Sequence, residues 1–548
     1  MTSADLLVEE LQARGVTFVA TLNGHGLDPF HLACKRAGMR MIDVRNEQAA
    51  GYMAEVTGRL SRSVGVCAVS GAVAHANALT GVVNAWFDGA PMLLITGITP
   101  LASLGWRDFQ DFNPVPMAEP VCKYARILDV PERVPQLVHE AFAAATSGRP
   151  GPVHLALPTD IASAEVDPDR VNRSAVRSGE VRQEGAGEPD LIRQVVNSLQ
   201  NSERPLLVAG SGVFYSRGEA ALAEFVRQQQ IPVMIPIWDR GSIEEPLEEF
   251  LGVIGAASGG PDVLSEADLI LAAGVEFDYR VGQFSSPPCS KDVRIVRIHA
   301  DSARLRQGLE SDLSIQAAPS TFLKQLAEAC REANCPAATQ WLRETRGRLK
   351  AHRLECWESA ERLTSGVNGR DVVAAIGDVL EDDTVLLIDG GNIGQWFHQV
   401  LVDRYPGHWV TCGASGVVGW GLPGALAARA LYPERPVILL SGDGAFTFTL
   451  GELECAARQG LNFVAIVADD EEWGISVSGH VKAYGEPLYS ALGPTRLDQV
   501  AEGLGCRGVR VESPEALVPA LTDALQSPSV TVIHVPIVPS SPADRPEL

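Results

Sequence analysis

The sequence of 548 residues contains no uninterrupted apolar run long enough to cross a membrane and no Cys-x-x-Cys pair among its ten cysteines. The missing apolar run argues against a transmembrane helix, and the scattered cysteines argue against a disulfide framework or a zinc site. The N-terminal stretch MTSADLLVEELQARG lacks the apolar core of a signal peptide and has the pattern of an amphipathic helix. We therefore expect a cytoplasmic protein with buried free thiols.

Positive charge is also scarce, because 45 lysines and arginines face 68 aspartates and glutamates, which gives a net charge of −23. This balance argues against nucleic acid and against an anionic membrane surface as partners. The hydrophobic content of 46% and the charged content of 21% are typical of a globular protein, and the length suffices for about three domains. Beyond this, the net charge indicates only solubility.

Apolar strands alternate with helical patterns through most of the chain. This alternation predicts parallel sheets covered by helices, which is the doubly wound α/β class. Three such blocks are predicted, at residues 1–165, 191–345 and 367–548. A polar segment without periodicity predicts a linker at 166–190, and a charged helical pattern predicts a connector at 346–366.

Two acidic clusters follow neighbouring strands of the third block. The apolar run 437–441 ends at a Gly-Asp-Gly turn centred on Asp443, where the glycines allow backbone amides to approach a phosphate. The next run, 463–468, ends at Asp469 and Asp470. Because ligands of a parallel sheet collect beyond the carboxyl ends of its strands, we expect Asp443 and Asp470 to converge on one point. Such hard oxygen ligands indicate magnesium or calcium.

The segment between these two strands is predicted to be a helix. Thr449 and Glu452 have the spacing of a Thr-x-x-Glu capping box, which marks a helix start. Apolar residues then recur at helical spacing, and Gly460 stands where a helix-ending glycine belongs. The order strand, turn, helix, strand and turn is therefore predicted for the whole segment.

This segment resembles the thiamine diphosphate signature of the acetolactate synthase and 2-oxoacid decarboxylase superfamily, in which Gly-Asp-Gly is followed one strand later by Asn-Asn. In that family the aspartate, the second asparagine and a main-chain carbonyl two residues further on hold the metal. The resemblance implies that Asp443, Asp470 and the carbonyl of Glu472 hold Mg²⁺. Asp469 and Asp470 replace the two asparagines here. Aspartate keeps a ligating oxygen but adds negative charge, so we expect tighter dependence on the metal.

Glu47 follows the predicted strand 41–44 and begins the stretch EQAAGYMAEVTGR. A glutamate at a helix N-terminus is often only a favourable partner of the helix dipole. This stretch, however, resembles the family's E-x-x-A-x-x-M-A-x-G-Y-A-R pattern, whose glutamate hydrogen-bonds N1′ of the cofactor's aminopyrimidine. The resemblance implies that Glu47 binds the cofactor and moves a proton in catalysis, which requires a carboxyl group in a water-poor pocket.

The third block also resembles the family in the rest of its cofactor cradle. The stretch DGGNIGQWFHQ matches the first diphosphate loop, and GASGVVGWGLPGA matches the segment beneath the cofactor. The resemblance implies that Gly416 offers its carbonyl to the 4′-amine and that Val418 wedges beneath the cofactor, where its small size leaves room for a substrate. The other cofactor-binding positions implied in this way are Gly391, Asn392, Ile393, Gly444, Ala445, Gly474 and Ile475.

Substrate-facing positions are predicted in the first block. His25 and Asn23, in the loop after the first strand, are candidates to orient a carbonyl oxygen or to move a proton. Gln110 matches a glutamine that lies over the active site in relatives. The stretch SGAVAHAN replaces the family's S-G-P-G-A-T-N and is one residue longer, so we expect a reshaped pocket wall in which His75 faces the pocket. For His25 and His75 a structural hydrogen bond is an equal alternative to catalysis.

The resemblance covers nearly the whole chain and implies an acetolactate synthase-like or benzaldehyde lyase-like enzyme. The main hypothesis is a carboligase that decarboxylates a 2-oxo acid and transfers the acyl carbanion to a carbonyl acceptor. The alternatives are a lyase that cleaves acyloins or 2-hydroxyacyl-CoA, and a non-catalytic regulatory relative, against which Glu47 argues. The adjacent His-His pair typical of pyruvate decarboxylases is missing, which argues against simple decarboxylation to an aldehyde.

Two further expectations concern the middle block and the assembly. Gly210-Ser211-Gly212 follows a predicted strand, but the third glycine of a dinucleotide fingerprint is missing, so NAD binding is only weakly indicated. Middle domains of the family carry FAD, ADP or nothing, and here we favour no additional cofactor. In the family, the pyrimidine-binding and diphosphate-binding domains that share one cofactor belong to different subunits, so a homodimer or homotetramer is expected.

Overall fold

The computed structural model describes residues 1–539 except 168, 172–184, 256–261, 309, 362–365 and 402, and it describes only the backbone of 356–361. It contains three six-stranded sheets in which all strand pairings are parallel. The predicted class of three doubly wound α/β domains is therefore confirmed. The linker predicted at 166–190, the end of the connector predicted at 346–366 and the end of the third block lie partly outside the described residues.

The first domain has the strand order β2-β1-β3-β4-β6-β5. Its four inner strands are short and mostly apolar, as expected where helices cover both faces of a sheet, whereas the two edge strands also carry charged residues. They are β1 Phe18–Thr21, β2 Arg40–Asp43, β3 Gly65–Val69, β4 Met92–Ile98, β5 Tyr124–Ile127 and β6 Pro152–Pro158. The helices are α1 Ser3–Ala13, α2 Asp28–Ala37, α3 Glu47–Ser61, α4 Val73–Asp88, α5 Val115–Ala118, α6 Val134–Thr146 and α7 Thr159–Ser163.

The middle domain has the order β12-β11-β10-β7-β8-β9, which is the arrangement of a Rossmann sheet. Its strands are β7 Pro205–Ala209, β8 Val233–Pro236, β9 Phe250–Ile254, β10 Leu269–Ala273, β11 Arg294–His299 and β12 Leu313–Gln316. Its helices are α8 Pro189–Gln200, α9 Ser211–Tyr215, α10 Glu219–Gln229, α11 Pro319–Glu332 and α12 Thr339–Glu361. The charged connector is therefore the continuation of α12, a helix that begins before it.

The third domain repeats the topology of the first, with the order β14-β13-β15-β16-β18-β17. Its strands are β13 Val385–Asp389, β14 Trp409–Val410, β15 Val437–Gly442, β16 Val464–Asp469, β17 Arg507–Arg510 and β18 Thr531–Pro536. Its helices are α13 Gly369–Val379, α14 Gly391–Val400, α15 Gly421–Leu431, α16 Asp443–Thr447, α17 Glu452–Gln459, α18 Gly474–Tyr484, α19 Leu497–Gly503 and α20 Leu517–Leu525. Among the described residues, no helix combines the length and apolar character needed to span a bilayer.

Helices α3 and α4 of the first domain touch backbone to backbone. A Cβ on Gly51 would lie 2.7 Å from the carbonyl oxygen of Ala78, and one on Gly81 would lie 2.3 Å from the carbonyl carbon of Gly51. Only glycine permits this approach. The close contact fixes the start of α3, where Glu47 stands, against α4. On its other side α3 shares a buried apolar cluster with α15, so the first and third domains have a common core.

The predicted capping box at Thr449 and Glu452 is wrong. Gly451 caps α17, and the Thr449 hydroxyl instead donates to the carbonyl oxygen of Gly419, at 2.9 Å. The Glu452 carboxylate instead accepts the backbone N–H of Arg45 in the first domain, at 3.0 Å. A tertiary hydrogen bond therefore replaces the local one that the spacing indicated. The predicted helix end is confirmed, since Gly460 has the left-handed φ of 65°.

Candidate functional site

The carboxyl ends of β15 and β16 bring three carboxylates together. Asp443 begins α16 and is only 6% exposed. The charges of Asp469 and Asp470 both disfavour ionisation of its carboxyl group. Burial and the neighbouring Asp469 raise the pKa of Asp443 to about 8. Burial also raises the pKa of Asp470. The structure thus brings the predicted pair Asp443 and Asp470 together, in surroundings that favour a bound cation.

The starts of α14 and α18 lie against each other at the same edge of the sheet. A Cβ on Gly391 would lie 2.7 Å from Cγ2 of Ile475, and the Asn392 Nδ2 donates to Asp470 Oδ2 at 3.3 Å. A Cβ on Gly474 would lie 2.6 Å from Asp470 Oδ2. Only glycine permits these close approaches, so the two glycines bring the helix starts together, and amides at helix starts attract phosphate. The cradle therefore fits a diphosphate.

The turn after Gly444 is equally tight. A Cβ on Gly444 would lie 2.7 Å from Cζ3 of Trp473, whose ring closes this side of the cradle. Ala445 and Ile393 are buried behind the turn and contribute packing. These positions were implied by the resemblance, whereas the position of Trp473 was not anticipated.

The described residues contain no group of three or more His, Cys, Asp or Glu side chains able to hold a metal ion. The predicted set differs from such a group, because it consists of two carboxylates and the main-chain carbonyl of Glu472. Oxygen atoms of a phosphate ligand would complete the coordination. Glu471, in the turn before that carbonyl, has a φ of 57°, and its N–H donates to Asp469 Oδ1 at 3.0 Å.

Asp389 holds the loop that carries Gly416 and Val418. Its carboxylate accepts the N–H of Gly421 at 2.7 Å and that of Gly419 at 3.0 Å. Burial raises the pKa of Asp389 to about 7. Gly416 is exposed and has a φ of 68°, while Val418 is half-buried. Sequence reasoning missed this role of Asp389, and its only signal was a carboxylate at the end of an apolar strand.

Glu47 is the first residue of α3, and Asn46 caps the helix by accepting the Gln48 N–H at 2.9 Å. The Glu47 side chain is half-buried, and its Oε2 accepts a hydrogen bond from Asn77 Nδ2 at 2.9 Å. The closely packed α3 and α4 hold this pair in register. Asn77 was missed as a functional residue, although it lies in the divergent SGAVAHAN stretch.

The structure brings His25 and Gln110 together through Ser70. The Ser70 Oγ lies 2.7 Å from the carbonyl oxygen of His25 and 2.9 Å from Oε1 of Gln110. The His25 ring is exposed and contacts Phe109 edge to face at 5.3 Å. Asn23 is exposed, but its side-chain oxygen lies 3.2 Å from His31 Nδ1 and serves that local contact.

His75 lies inside the first domain and has no exposed surface. Its Nδ1 is 2.8 Å from Thr96 Oγ1, and His154 Nε2 lies 3.0 Å from the same hydroxyl. Burial lowers the pKa of His75 to about 4, so the ring is neutral at physiological pH. The structure thus does not bring His75 to the pocket surface with His25 and Gln110, and it shows the structural hydrogen bond that was the alternative.

The entry to α3 is fastened to α17 of the third domain. Glu452 of α17 accepts the Arg45 N–H, and two other side chains of α17 bind Asp43. Arg458 Nη2 donates to the Asp43 carboxylate at 2.9 Å, and the Gln459 side chain donates to the Asp43 carbonyl oxygen. Glu452, which receives the Arg45 amide, is only 1% exposed. These contacts fix the strand that leads to Glu47 relative to the third domain of the same chain.

Replacing Glu452 with Gln is expected to flatten the pH dependence of stability. Burial raises the pKa of Glu452 to about 7. Its stabilising contribution is therefore complete below its ordinary pKa and is lost as the pH rises through about 7, a loss of about 1 to 3 kcal/mol. Glutamine keeps an oxygen for the Arg45 N–H but cannot ionise. The melting temperature of E452Q should therefore fall less than that of the wild type between about pH 5 and pH 8.

The matched control is Glu454→Gln, which changes a more exposed glutamate on the same helix. Hydrogen bonding to Arg458 lowers the pKa of Glu454, so this control should give a curve parallel to the wild type in that pH range. An E452Q curve that is also parallel would contradict the assignment of a buried, ionising Glu452.

A separate cavity of about 650 Å³ lies between the first and middle domains. Ser211 and Gly212, from the incomplete glycine motif, line it together with Glu276, which lies in the loop after β10. Glu276 pairs with Arg149 of the first domain, with 2.6 Å between the Glu276 Oε1 and the Arg149 Nε. The acidic turns of the third domain do not contribute to this lining.

Three family models match the chain in the order of its domains. They are the N-terminal thiamine pyrophosphate (thiamine diphosphate) binding domain at residues 1–117, the central domain of the same enzymes at 192–326, and the C-terminal thiamine pyrophosphate binding domain at 389–535. Together the three models cover most of the chain.

Several curated relatives are similar over almost the whole length. An acetolactate synthase large subunit of Mycobacterium tuberculosis is 29% identical over 98% of this chain and 96% of its own length. A glyoxylate carboligase of Escherichia coli O157:H7 is 28% identical over 96% of this chain and 90% of its own. A 2-hydroxyacyl-CoA lyase 2 of Caenorhabditis elegans is 28% identical over 93% and 85%.

Proposed function

We propose, because this chain belongs to the thiamine pyrophosphate enzyme family, that it decarboxylates a 2-oxo acid and joins the remaining acyl group to a carbonyl acceptor. The observation that carries the proposal is the pair of half-sites, with Glu47 at the start of α3 and the acidic diphosphate cradle at the ends of β15 and β16. Relatives named acetolactate synthase and glyoxylate carboligase support this direction of reaction. The alternative is a lyase, as in the relative named 2-hydroxyacyl-CoA lyase.

The cofactor supplies an electron sink for the acyl carbon. In this proposal Glu47 donates and accepts a proton at N1′ of the aminopyrimidine, while Asn77 keeps the carboxylate oriented through its 2.9 Å hydrogen bond. Gly416 would offer its carbonyl to the 4′-amine, and Val418 would contact the cofactor. Asp389 keeps that loop in place by accepting its amides.

The diphosphate is proposed to lie at the starts of α14 and α18, whose backbone amides attract phosphate. Asp443, Asp470 and the Glu472 carbonyl are proposed as the protein ligands that would hold Mg²⁺. Burial and the neighbouring carboxylates raise the pKa of Asp443, which supports this assignment because a divalent cation would stabilise the ionised cluster. Gln110 and His25 are proposed to face the substrate from the first domain.

We also propose a homodimer or a dimer of dimers in which the first domain of one subunit faces the third domain of the other. Large apolar side chains around both half-sites support this assembly, because such exposed groups are typical of interfaces. On the first domain they are Val73, Trp106 and Phe109, and on the third domain Phe448, Tyr484 and Tyr489. Trp106 is 80% exposed in the single chain.

The test is to incubate the purified protein with thiamine diphosphate, Mg²⁺ and either pyruvate or glyoxylate. The proposal predicts one molecule of carbon dioxide for every two molecules of 2-oxo acid consumed, with a carbon–carbon bond in the product, measured by gas release and mass spectrometry. Without Mg²⁺, in the presence of a chelator, both signals should disappear.

Two outcomes separate the alternatives. Cleavage of an acyloin or a 2-hydroxyacyl-CoA, with no reaction of either 2-oxo acid, would establish the lyase and contradict the carboligase. Inertness towards all four compounds, in protein that binds the cofactor, would contradict both.

A further inference from the structure

Asp469 is the residue that departs from the family pattern without being a proposed metal ligand. Both of its carboxylate oxygens are occupied by protein donors. Oδ1 accepts the Glu471 N–H at 3.0 Å, and Oδ2 lies 2.7 Å from His534 Nε2. Because a carboxylate only accepts, Nε2 carries the proton and donates it to Asp469.

His534 is almost completely buried on β18, next to the strand that ends at Asp469. Its other nitrogen, Nδ1, lies 3.2 Å from Asp498 Oδ1 and 3.3 Å from Arg510 Nη1. Asp498 is in turn bound by Arg496 through two hydrogen bonds, at 2.9 and 2.5 Å. The imidazole is thus fixed from behind by charged groups of α19 and β17, and its orientation towards Asp469 is set.

A third carboxylate in this site needs such a partner. Asp469 lies in the same cluster as Asp443 and Asp470, and like charges placed this close together repel each other. The His534 Nε2–H and the Glu471 N–H are the donors that compensate the charge of Asp469. An asparagine at this position would carry no charge and would not require the imidazole.

The hydrogen bond to Asp469 also shapes the turn that follows it. The Glu471 N–H is tied to Asp469 Oδ1, and Glu471 has a left-handed φ of 57°, a conformation that costs a non-glycine residue free energy. The turn leads directly into the Trp473 N–H, which donates to the carbonyl oxygen of Ser490 at 2.8 Å. Asp469 is thus the fixed point from which Asp470 and Glu472 are oriented.

We propose that His534 is a positioning residue that holds Asp469, so that the following turn presents Asp470 and the Glu472 carbonyl to the cation. This inference rests on the proposed function, because the cation is that of the proposed cofactor site. His534 itself contacts neither proposed side-chain ligand among the hydrogen bonds of the described residues. The family has an asparagine in place of Asp469. The D469N variant therefore tests whether the effect of replacing His534 depends on the charge of Asp469.

The test is a double-mutant cycle read by calorimetry as the Mg²⁺ concentration that half-saturates thiamine diphosphate binding. H534L should raise this concentration about 10- to 100-fold, the usual effect of losing a group that orients a metal ligand. In the D469N background, H534L should change it less than about 3-fold, because the neutral side chain no longer needs the imidazole. Arg507→Gln, which alters an exposed ion pair with Asp523 on the same strand β17, is the matched control and should leave it unchanged.

Equal factors for H534L in both backgrounds, or no effect in the wild type, would overturn the proposal. If H534L does not fold, H534Q replaces it in the same cycle, because glutamine keeps a donor of similar reach. A weakening of about 3- to 10-fold is then expected in the wild type, again lost in D469N, and equal factors would again overturn the proposal. Failure of the wild type to bind thiamine diphosphate with Mg²⁺ would instead contradict the proposed function.

Discussion

Replacing Glu47 with Gln is expected to lower kcat by about 100- to 10,000-fold. This is the usual contribution of a side chain that transfers a proton in the transition state. Glutamine has the same shape, and its Oε1 can still accept the hydrogen bond from Asn77 Nδ2. The fold and the affinity for thiamine diphosphate should therefore change little. Steady-state kinetics would measure the loss of turnover, and calorimetry would measure cofactor binding.

The control for this variant is Glu332→Gln, which removes the charge of an exposed glutamate on α11 of the middle domain. It should leave kcat unchanged. A Glu47→Gln protein that binds the cofactor and keeps full turnover would refute the assigned role. Loss of cofactor binding together with turnover would show that Glu47 serves binding, and not proton transfer.

Replacing Asp443 or Asp470 with Ala is expected to weaken Mg²⁺-dependent binding of thiamine diphosphate by more than about 100-fold. Removing a group that merely orients a ligand costs 10- to 100-fold in metal affinity, so loss of a ligand should exceed that range. Asp470→Asn should retain binding within about 10-fold, because the amide keeps an oxygen in nearly the same place. Calorimetry with increasing Mg²⁺ would measure all three variants.

Asp382→Ala is the control for the two alanine variants, because it removes an aspartate from a surface ion pair with Arg404. Its cofactor affinity should match that of the wild type. An Asp470→Asn protein that no longer binds Mg²⁺ would show that the ligand has been misplaced. Normal binding by Asp443→Ala would contradict the whole metal assignment.

Local patterns were reliable where one segment defines its own structure. The apolar runs at 437–441 and 463–468 are the strands β15 and β16 within a residue at each end, and Gly460 ends α17 as predicted. The Thr449 and Glu452 spacing failed, because both side chains have stronger partners outside the segment. A short motif specifies a helix start only when no distant backbone group competes for its side chains.

The sequence by itself determined the three α/β domains, the two acidic turns after neighbouring strands and the glutamate at the start of α3. These features follow from periodicity, turn chemistry and short motifs, which act within a few residues. Only the tertiary structure decided which groups these residues contact. Asn77 binds Glu47, Glu452 receives the amide of Arg45 from 407 residues away, and His534 holds Asp469 from 65 residues away. Such pairs depend on how separate strands and helices are stacked, because hydrogen bonds between them form only after the domains have packed.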